Sequence, residues 1–312
     1  MNKLRKSNES IVDNVGLAIA LTLIFTVFAP VSETSAKLLG GTLPATQISF
    51  VRFAFHFVLI GLYIAVVIPH GDWRPRPLWP LLLRGALTTL GTICIYAGLA
   101  VLPMVDAVAI FFIQPLILTA LSALVLGDHV SWFRWGAVCA GMIGALLIIG
   151  PNFNSIGWGA LFPALAALLH GTSGMMVRRW SGLAPLPLFQ IYTAMVGIAI
   201  TTIILTGGWF MATPELTPII PSLWEFTLLS LIGLVSMAST MTLTQALRLA
   251  PPSIISPLLY IHIVWSSIIG YIIFDYIPSF RTVTGATLVI SAGLFVWWHE
   301  TRHNKIQPSV TK

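Results

Sequence analysis

Few side chains in this sequence can do chemistry, and the informative ones sit inside apolar surroundings. In 312 residues there are 16 Lys and Arg, 10 Asp and Glu, and 7 His. Of these, Glu33, Arg52, His56, His170 and His262 fall within long apolar runs, as does the neutral Gln114. An ionisable group in hydrocarbon is costly unless it pairs, neutralises or reaches water, so each such residue needs a reason. Glu33 and Arg52 are expected at similar depth and read as an ion pair lining the mouth of a pathway. The alternative pairs Glu33 with Lys37 at i,i+4 and lets Arg52 snorkel outward. His56, one turn deeper than Arg52 on the same face, is a candidate proton relay or a packed core histidine.

Gln114 and His262 each lie in the middle of a run, with Phe111, Phe112, Tyr260 and Trp265 within a turn of them. Aromatic rings around a few polar groups suit a planar, partly polar ligand that stacks and hydrogen-bonds, although such rings also serve as ordinary core. His170 is a third candidate wall residue. Asp106 and Glu225 begin runs, where helix N-termini favour carboxylates. Arg84 is expected to snorkel, and Asp128 and Asp275 to close runs at the surface.

The elements that must position these groups are membrane spans. The chain is 57% hydrophobic and 8% charged, with a mean hydropathy of +0.92. That is far from the ~25% charge of soluble domains. Apolar runs of about 20 residues, the length that crosses a bilayer, occur ten times: 15–37, 46–68, 78–99, 104–126, 132–150, 157–177, 186–206, 223–247, 252–274 and 282–298. Continuous rather than alternating runs select helices over a barrel. The fold class is therefore an all-α polytopic membrane protein.

Basic residues orient it. Lys3, Arg5, Lys6, Arg74, Arg76, Arg134, Arg178, Arg179, Arg248, Arg302, Lys305 and Lys312 border one set of alternate segments, and Lys37 and Arg281 the other. This bias puts both termini in the cytoplasm. The same residues account for the net charge of +6, and no basic cluster with interleaved aromatics points to nucleic acid.

The second half repeats the first. At an offset of 143, Pro44-x-x-Gln47-Ile48 falls on Pro187-x-x-Gln190-Ile191; at 145, Leu78-Trp79 falls on Leu223-Trp224; at 148, Pro103 falls on Pro251 and Gln114 on His262. The first run follows Lys3, Arg5 and Lys6 yet has a counterpart in the second half, so it reads as a span rather than a cleaved leader. Residues 1–150 and 151–312 thus form two five-span units. Five is odd, so the second unit enters from the opposite side, the inverted repeat of secondary transporters.

Two stretches carry a resemblance. One is Pro103-x-x-Asp106-Ala107-x-Ala109-x-Phe111-Phe112 through Pro115-Leu116 to Leu126-Gly127-Asp128, with its partner Pro257-Leu258-x-Tyr260 through Gly270-Tyr271-x-x-Phe274 to Pro278. The other is Glu33-x-x-Ala36-Lys37, followed by Gln47 and Arg52-Phe53. Together they resemble the EamA branch of the drug/metabolite transporter superfamily, most of all proteobacterial members that include riboflavin importers. Exporters of amino acids and metallophores and carriers of S-adenosylmethionine are neighbours in that branch. The resemblance implies ten helices in a five-plus-five arrangement. Two departures stand out: His262 where the family usually has Gln or Glu, and Asp275 one place early in closing span nine.

The expected function is secondary transport of a small metabolite by alternating access across a bacterial inner membrane. Riboflavin or a similar planar compound is the first cargo, and export of amino acids or related metabolites the alternative. Coupling to a proton or sodium gradient, a monomer or homodimer, and no cofactor or metal complete the expectation. An enzyme has one handle: Gly171-Thr172-Ser173-Gly174 matches the Gly-x-Ser-Gly pattern of rhomboid intramembrane serine proteases, with His262 as the partner base. No H-E-x-x-H or phosphate-binding Gly-Lys loop occurs, so neither a zinc protease nor a nucleotide-driven pump is supported.

Overall fold

The computed structural model describes residues 14–67, 75–127, 132–149, 157–213 and 216–275, with scattered residues from 280 to 295. Among the described residues there is no strand. Helix α1 runs Val15–Leu39, started by Asn14, whose side chain accepts the Leu17 amide at 3.0 Å. Helices α2 (Ala45–Val67) and α3 (Trp79–Val101) are single spans. The fourth span is broken: α4 (Met104–Phe111) gives way at Phe112 and Ile113 to α5 (Gln114–Leu121), which ends in a π turn over Ser122–Leu126. Next come α6 (Trp132–Ile149) and, after a 3₁₀ turn at Gly157–Ala160, α7 (Leu161–Arg179). Helix α8 (Leu186–Phe210) starts with proline in its first turn, and α9 (Leu223–Leu249) starts with a Ser222/Glu225 capping box. The ninth span is broken as well, into α10 (Pro252–Leu259) and α11 (Ile261–Phe274) about Tyr260.

Proline explains both breaks. Pro115 has no N–H for the carbonyl of Phe111, and Pro257 none for that of Ser253, so each ladder loses a rung where lipid offers no substitute. Both broken spans end on a left-handed residue, Gly127 (φ 70°) and Asp275 (φ 51°). These lie 148 positions apart, the offset that relates Gln114 to His262.

The spans expected from the sequence begin and end within about four residues of these helices, with two of them divided. The tenth, 282–298, falls where few residues are described; there the Thr284 and Thr287 hydroxyls donate to the carbonyls of Phe280 and Val283. Asp128 and the side chain of Asp106 lie outside the described residues, as do Lys3, Arg5, Lys6, Arg302, Lys305 and Lys312.

Large apolar side chains such as Val58, Leu62, Val66, Ile203 and Phe210 cover the exterior, as a lipid solvent requires. Hydroxyls turn inward and bond their own helix one turn back: Thr22 to Ala18, Thr89 to Gly85, Thr92 to Thr88, Thr201 to Gly197. Helix contacts follow a rule. Helix α1 packs on α9 as α7 packs on α3; α2 packs on α9 as α8 packs on α3; α1 packs on α11 as α7 packs on α5. Among the other pairs, α2 with α8 maps onto itself, and α5 with α10 maps onto α11 with α4. Adding five to each span number therefore returns the same packing.

Small residues permit the closest approaches. A Cβ on Gly141 would stand 2.5 Å from the ring of Tyr260, which is completely buried. A Cβ on Gly136 in the same helix would meet nothing within 4 Å. Gly141→Ala is expected to destabilise the protein by about 1–3 kcal/mol through overpacking, lowering the thermal midpoint in detergent, while Gly136→Ala leaves it unchanged.

Candidate functional site

The helices enclose a central cavity of about 120 Å³. Two apolar clusters bound it. One gathers Leu39, Leu99, Leu102, Met104, Phe111, Phe112 and Leu229 near the end of the molecule where α1 finishes. The other gathers Ala18, Leu118, Val177, Leu247, Ile255 and Leu259 near the end where α1 begins. Members of both reach the wall together with Phe25, Ala29, Gly174 and Leu243, and its polar groups are Ser32, Glu33, Arg52, Arg84, Thr88, Tyr96, Gln114, His170, Ser173, Ser236, Ser239, Thr240 and Thr244.

Each arginine is held by neutral oxygens. The Arg52 guanidinium donates to the Tyr96 hydroxyl at 3.0 Å and to Thr240 Oγ1 at 3.2 Å, and its carbon lies 5.8 Å from the centres of the Phe53 and Tyr96 rings. Arg84 is buried and donates to Thr193 Oγ1 at 2.6 Å, the Phe189 carbonyl at 3.2 Å and Thr244 Oγ1 at 3.2 Å. The expectation that Arg84 snorkels is thus corrected. Helices α8 and α9 bring a carbonyl and two threonine hydroxyls to it, and these replace the water it would otherwise seek. On Arg52 and Arg84 alike, the Nε atom is buried without a hydrogen-bond partner.

Glu33 is partnered across the molecule. Its Oε2 lies 2.9 Å from His262 Nε2, joining α1 to α11. Neither sequence alternative for Glu33 is found among the described residues: its ion-pair partner is His262 rather than Arg52, and Lys37 donates instead to the Leu102 carbonyl at 2.7 Å. Arg52 turns inward rather than snorkelling. The rings of Phe25 and Phe112 meet the His262 imidazole edge-on at 5.9 and 5.4 Å, fixing its plane.

The remaining expected residues divide into three groups. Phe111, Gln114 and His170 lie on the cavity wall, with Phe111 and His170 edge to face at 5.7 Å. Phe112, Tyr260 and His262 are buried behind it, Phe112 and Tyr260 stacked at 5.6 Å. His56 is also behind it, bonded to Ser236 Oγ at 2.9 Å. Trp265 faces the exterior. Gln114 and His262 therefore do not share a wall. Of the Glu33–His262 pair, Glu33 lines the cavity and His262 lies behind it.

Ser173 shares a hydrogen bond with Thr88 at 2.7 Å. It was considered as a nucleophile, yet here it is one polar group of the wall. Sequence reasoning missed Arg84, Tyr96, Thr88, Thr240 and Thr244. The signal that would have found them is a hydroxyl stripe at helical spacing, Ser236, Ser239, Thr240 and Thr244 on α9, facing Thr88 and Thr92 on α3.

Thr244 Oγ1 accepts from both Arg84 and the Gln190 side-chain amide, the latter at 2.8 Å. Replacing it with Val is expected to cost about 1–3 kcal/mol, the penalty of leaving buried donors unmet. The measurement is a thermal unfolding midpoint, with Thr206→Val, at an exposed hydroxyl bonded within α8, as the control that stays near wild type.

The profile of the EamA-like transporter family matches residues 16–150. A riboflavin transporter of Rhizobium johnstonii is 29% identical over 84% of each chain. An S-adenosylmethionine uptake transporter of Rickettsia prowazekii is 24% identical over 90% of this chain and 92% of its own. A pseudopaline exporter of Pseudomonas aeruginosa is 28% identical over 88% and 93%. A solved crystal structure shares the fold with a TM-score of 0.72 at 17% identity, over 91% of this chain and 98% of that one. The relatives are transporters and not enzymes, which sets the protease reading aside. With an apolar exterior, a cavity lined by polar groups from several helices and these relatives, the chain is a multi-pass membrane transporter of small metabolites whose residues 16–150 match the EamA-like transporter family.

Proposed function

We propose that the chain works by alternating access, residues 1–150 and 151–312 acting as two five-helix repeats of opposite orientation that rock about the central cavity. The observation that carries this reading is the position of the cavity between two apolar closures, with walls drawn from both halves. Its volume of about 120 Å³ is below the ~300–1,000 Å³ of ordinary ligand sites. One closure must therefore part to admit cargo, and the other must hold meanwhile. The positive-inside distribution supports residence in a bacterial inner membrane with both termini cytoplasmic.

The cargo we propose is riboflavin or a similar planar metabolite. The names of two relatives support it, as do the Tyr96, Phe111 and His170 rings on the wall. The hydroxyl-rich face of α9 favours, as a second reading, an exporter of amino acids or related metabolites. Proton coupling is proposed to use Glu33, which lines the cavity while bound to His262. A proton arriving on either partner would change that contact.

Counterflow in proteoliposomes against labelled riboflavin, S-adenosylmethionine and aromatic amino acids tests the cargo. Exchange of riboflavin is expected, and its absence would sink the flavin assignment. Glu33→Gln is expected to abolish the response of uptake to an imposed proton gradient while leaving counterflow measurable. Unchanged proton dependence would remove Glu33 from the coupling mechanism.

A further inference from the structure

The charges on the cavity wall do not balance. Among the described residues the wall carries two guanidinium groups and one carboxylate, and that carboxylate is already engaged by His262. Every oxygen that receives a hydrogen bond from Arg52 or Arg84 is a hydroxyl or a backbone carbonyl. The threonines are committed as acceptors, because Thr193 and Thr240 spend their own hydrogens on the carbonyls of Phe189 and Ser236. Both arginines are thus solvated by neutral dipoles and neutralised by none of them. Protonation of His262 would add positive charge and widen the imbalance. Such dipoles make a fixed charge tolerable inside the protein, and a counter-charge that arrives beside it stabilises it further.

Geometry adds to this. Thr240 and Thr244, which anchor the two guanidiniums, are successive turns of α9, a rise of about 6 Å. Arg52 and Arg84 both line this cavity and are tied to neighbouring turns of the same helix, so an anion lodged there faces both guanidiniums. Each Nε–H is buried and unspent, and Arg84 is only 3% exposed while forming part of the cavity wall. Ser32, Thr88, Gln114 and Ser173 stand around the same space as further polar contacts.

We propose that Arg52 and Arg84 together bind an anionic group, a carboxylate or a phosphate, in this cavity, so that an anionic planar compound is held more tightly than a neutral one such as riboflavin. The inference rests on the transport reading and narrows it: within the planar class the charged members are selected over the neutral ones.

The test is binding to the purified full chain in detergent, using pairs of probes that share a ring system and differ in whether they carry an anionic group. Riboflavin against riboflavin 5′-phosphate, followed by flavin fluorescence, forms the phosphate arm. Indole-3-acetamide against indole-3-acetate, followed by competition or thermal shift, forms the carboxylate arm. In at least one arm the charged member is expected to bind about tenfold tighter or more, as a buried charge pair supports. Arg52→Gln and Arg84→Gln should each collapse that ratio towards one, and Arg52→Lys should retain part of it. The ratio is the informative quantity, because a variant that merely loosens the fold weakens both members equally. If Arg84→Gln does not fold, Arg52→Gln, at the less buried position, decides alone. Equal affinity within both pairs, absence of binding in both, or a ratio that survives the Gln variants would overturn the proposal. Failure of counterflow with the charge preference intact would instead count against the transport mechanism and leave the anion site standing.

Discussion

Lipid neither donates nor accepts a hydrogen bond, and the molecule is organised by that fact. Every polar group carried into the bilayer must find its partner on another helix or on its own preceding turn. The hydroxyls of α1, α3 and α8 take the second course, bonding carbonyls four residues back. The charged groups take the first, and in doing so they tie distant parts of the chain together. Arg84 joins α3 to α8 and α9, Arg52 joins α2 to α3 and α9, and Glu33 joins α1 to α11. The polar interior is thus both the framework that fixes helix positions and the lining of the space they enclose. A soluble protein can separate these two duties, since water satisfies whatever its core does not.

The broken spans follow from the same constraint. Opening a helix in hydrocarbon exposes carbonyls that nothing outside can satisfy, so the breaks at Phe112 and Tyr260 are placed where protein surrounds them. Both residues are buried and in contact. Their helices end on equivalent left-handed residues, Gly127 and Asp275. Asp tolerates that conformation better than most residues with a side chain, which explains how the second broken span dispenses with glycine.

Much of this was legible in the residues, because hydropathy and spacing act locally. Span limits follow from where apolar runs begin and end. The offset of 148 that relates Gln114 to His262 also relates Phe112 to Tyr260 and Gly127 to Asp275. What was not legible depends on approach between helices far apart in the chain. Glu33 and His262 are 229 residues apart, and nothing in the local pattern of either names the other. Arg84 was placed at the interface by counting from the nearer end of its span. That count is blind to Thr193 and Thr244, whose hydroxyls make a buried position tolerable. Trp265 erred the other way: an aromatic near mid-span reads as pocket lining, yet its angle on α11 turns it towards lipid.

On the inverted-repeat arrangement proposed above, Phe112 and Tyr260 occupy equivalent places and their rings touch, so the operation that exchanges the halves maps the contact onto itself. A contact off that line, such as Glu33 with His262, is counted once and tilts the balance between the two faces of the membrane. A contact on the line weighs equally on both. In the proposed alternation the chemistry of this pair therefore sets how fast the molecule changes over and has no say in which way it points.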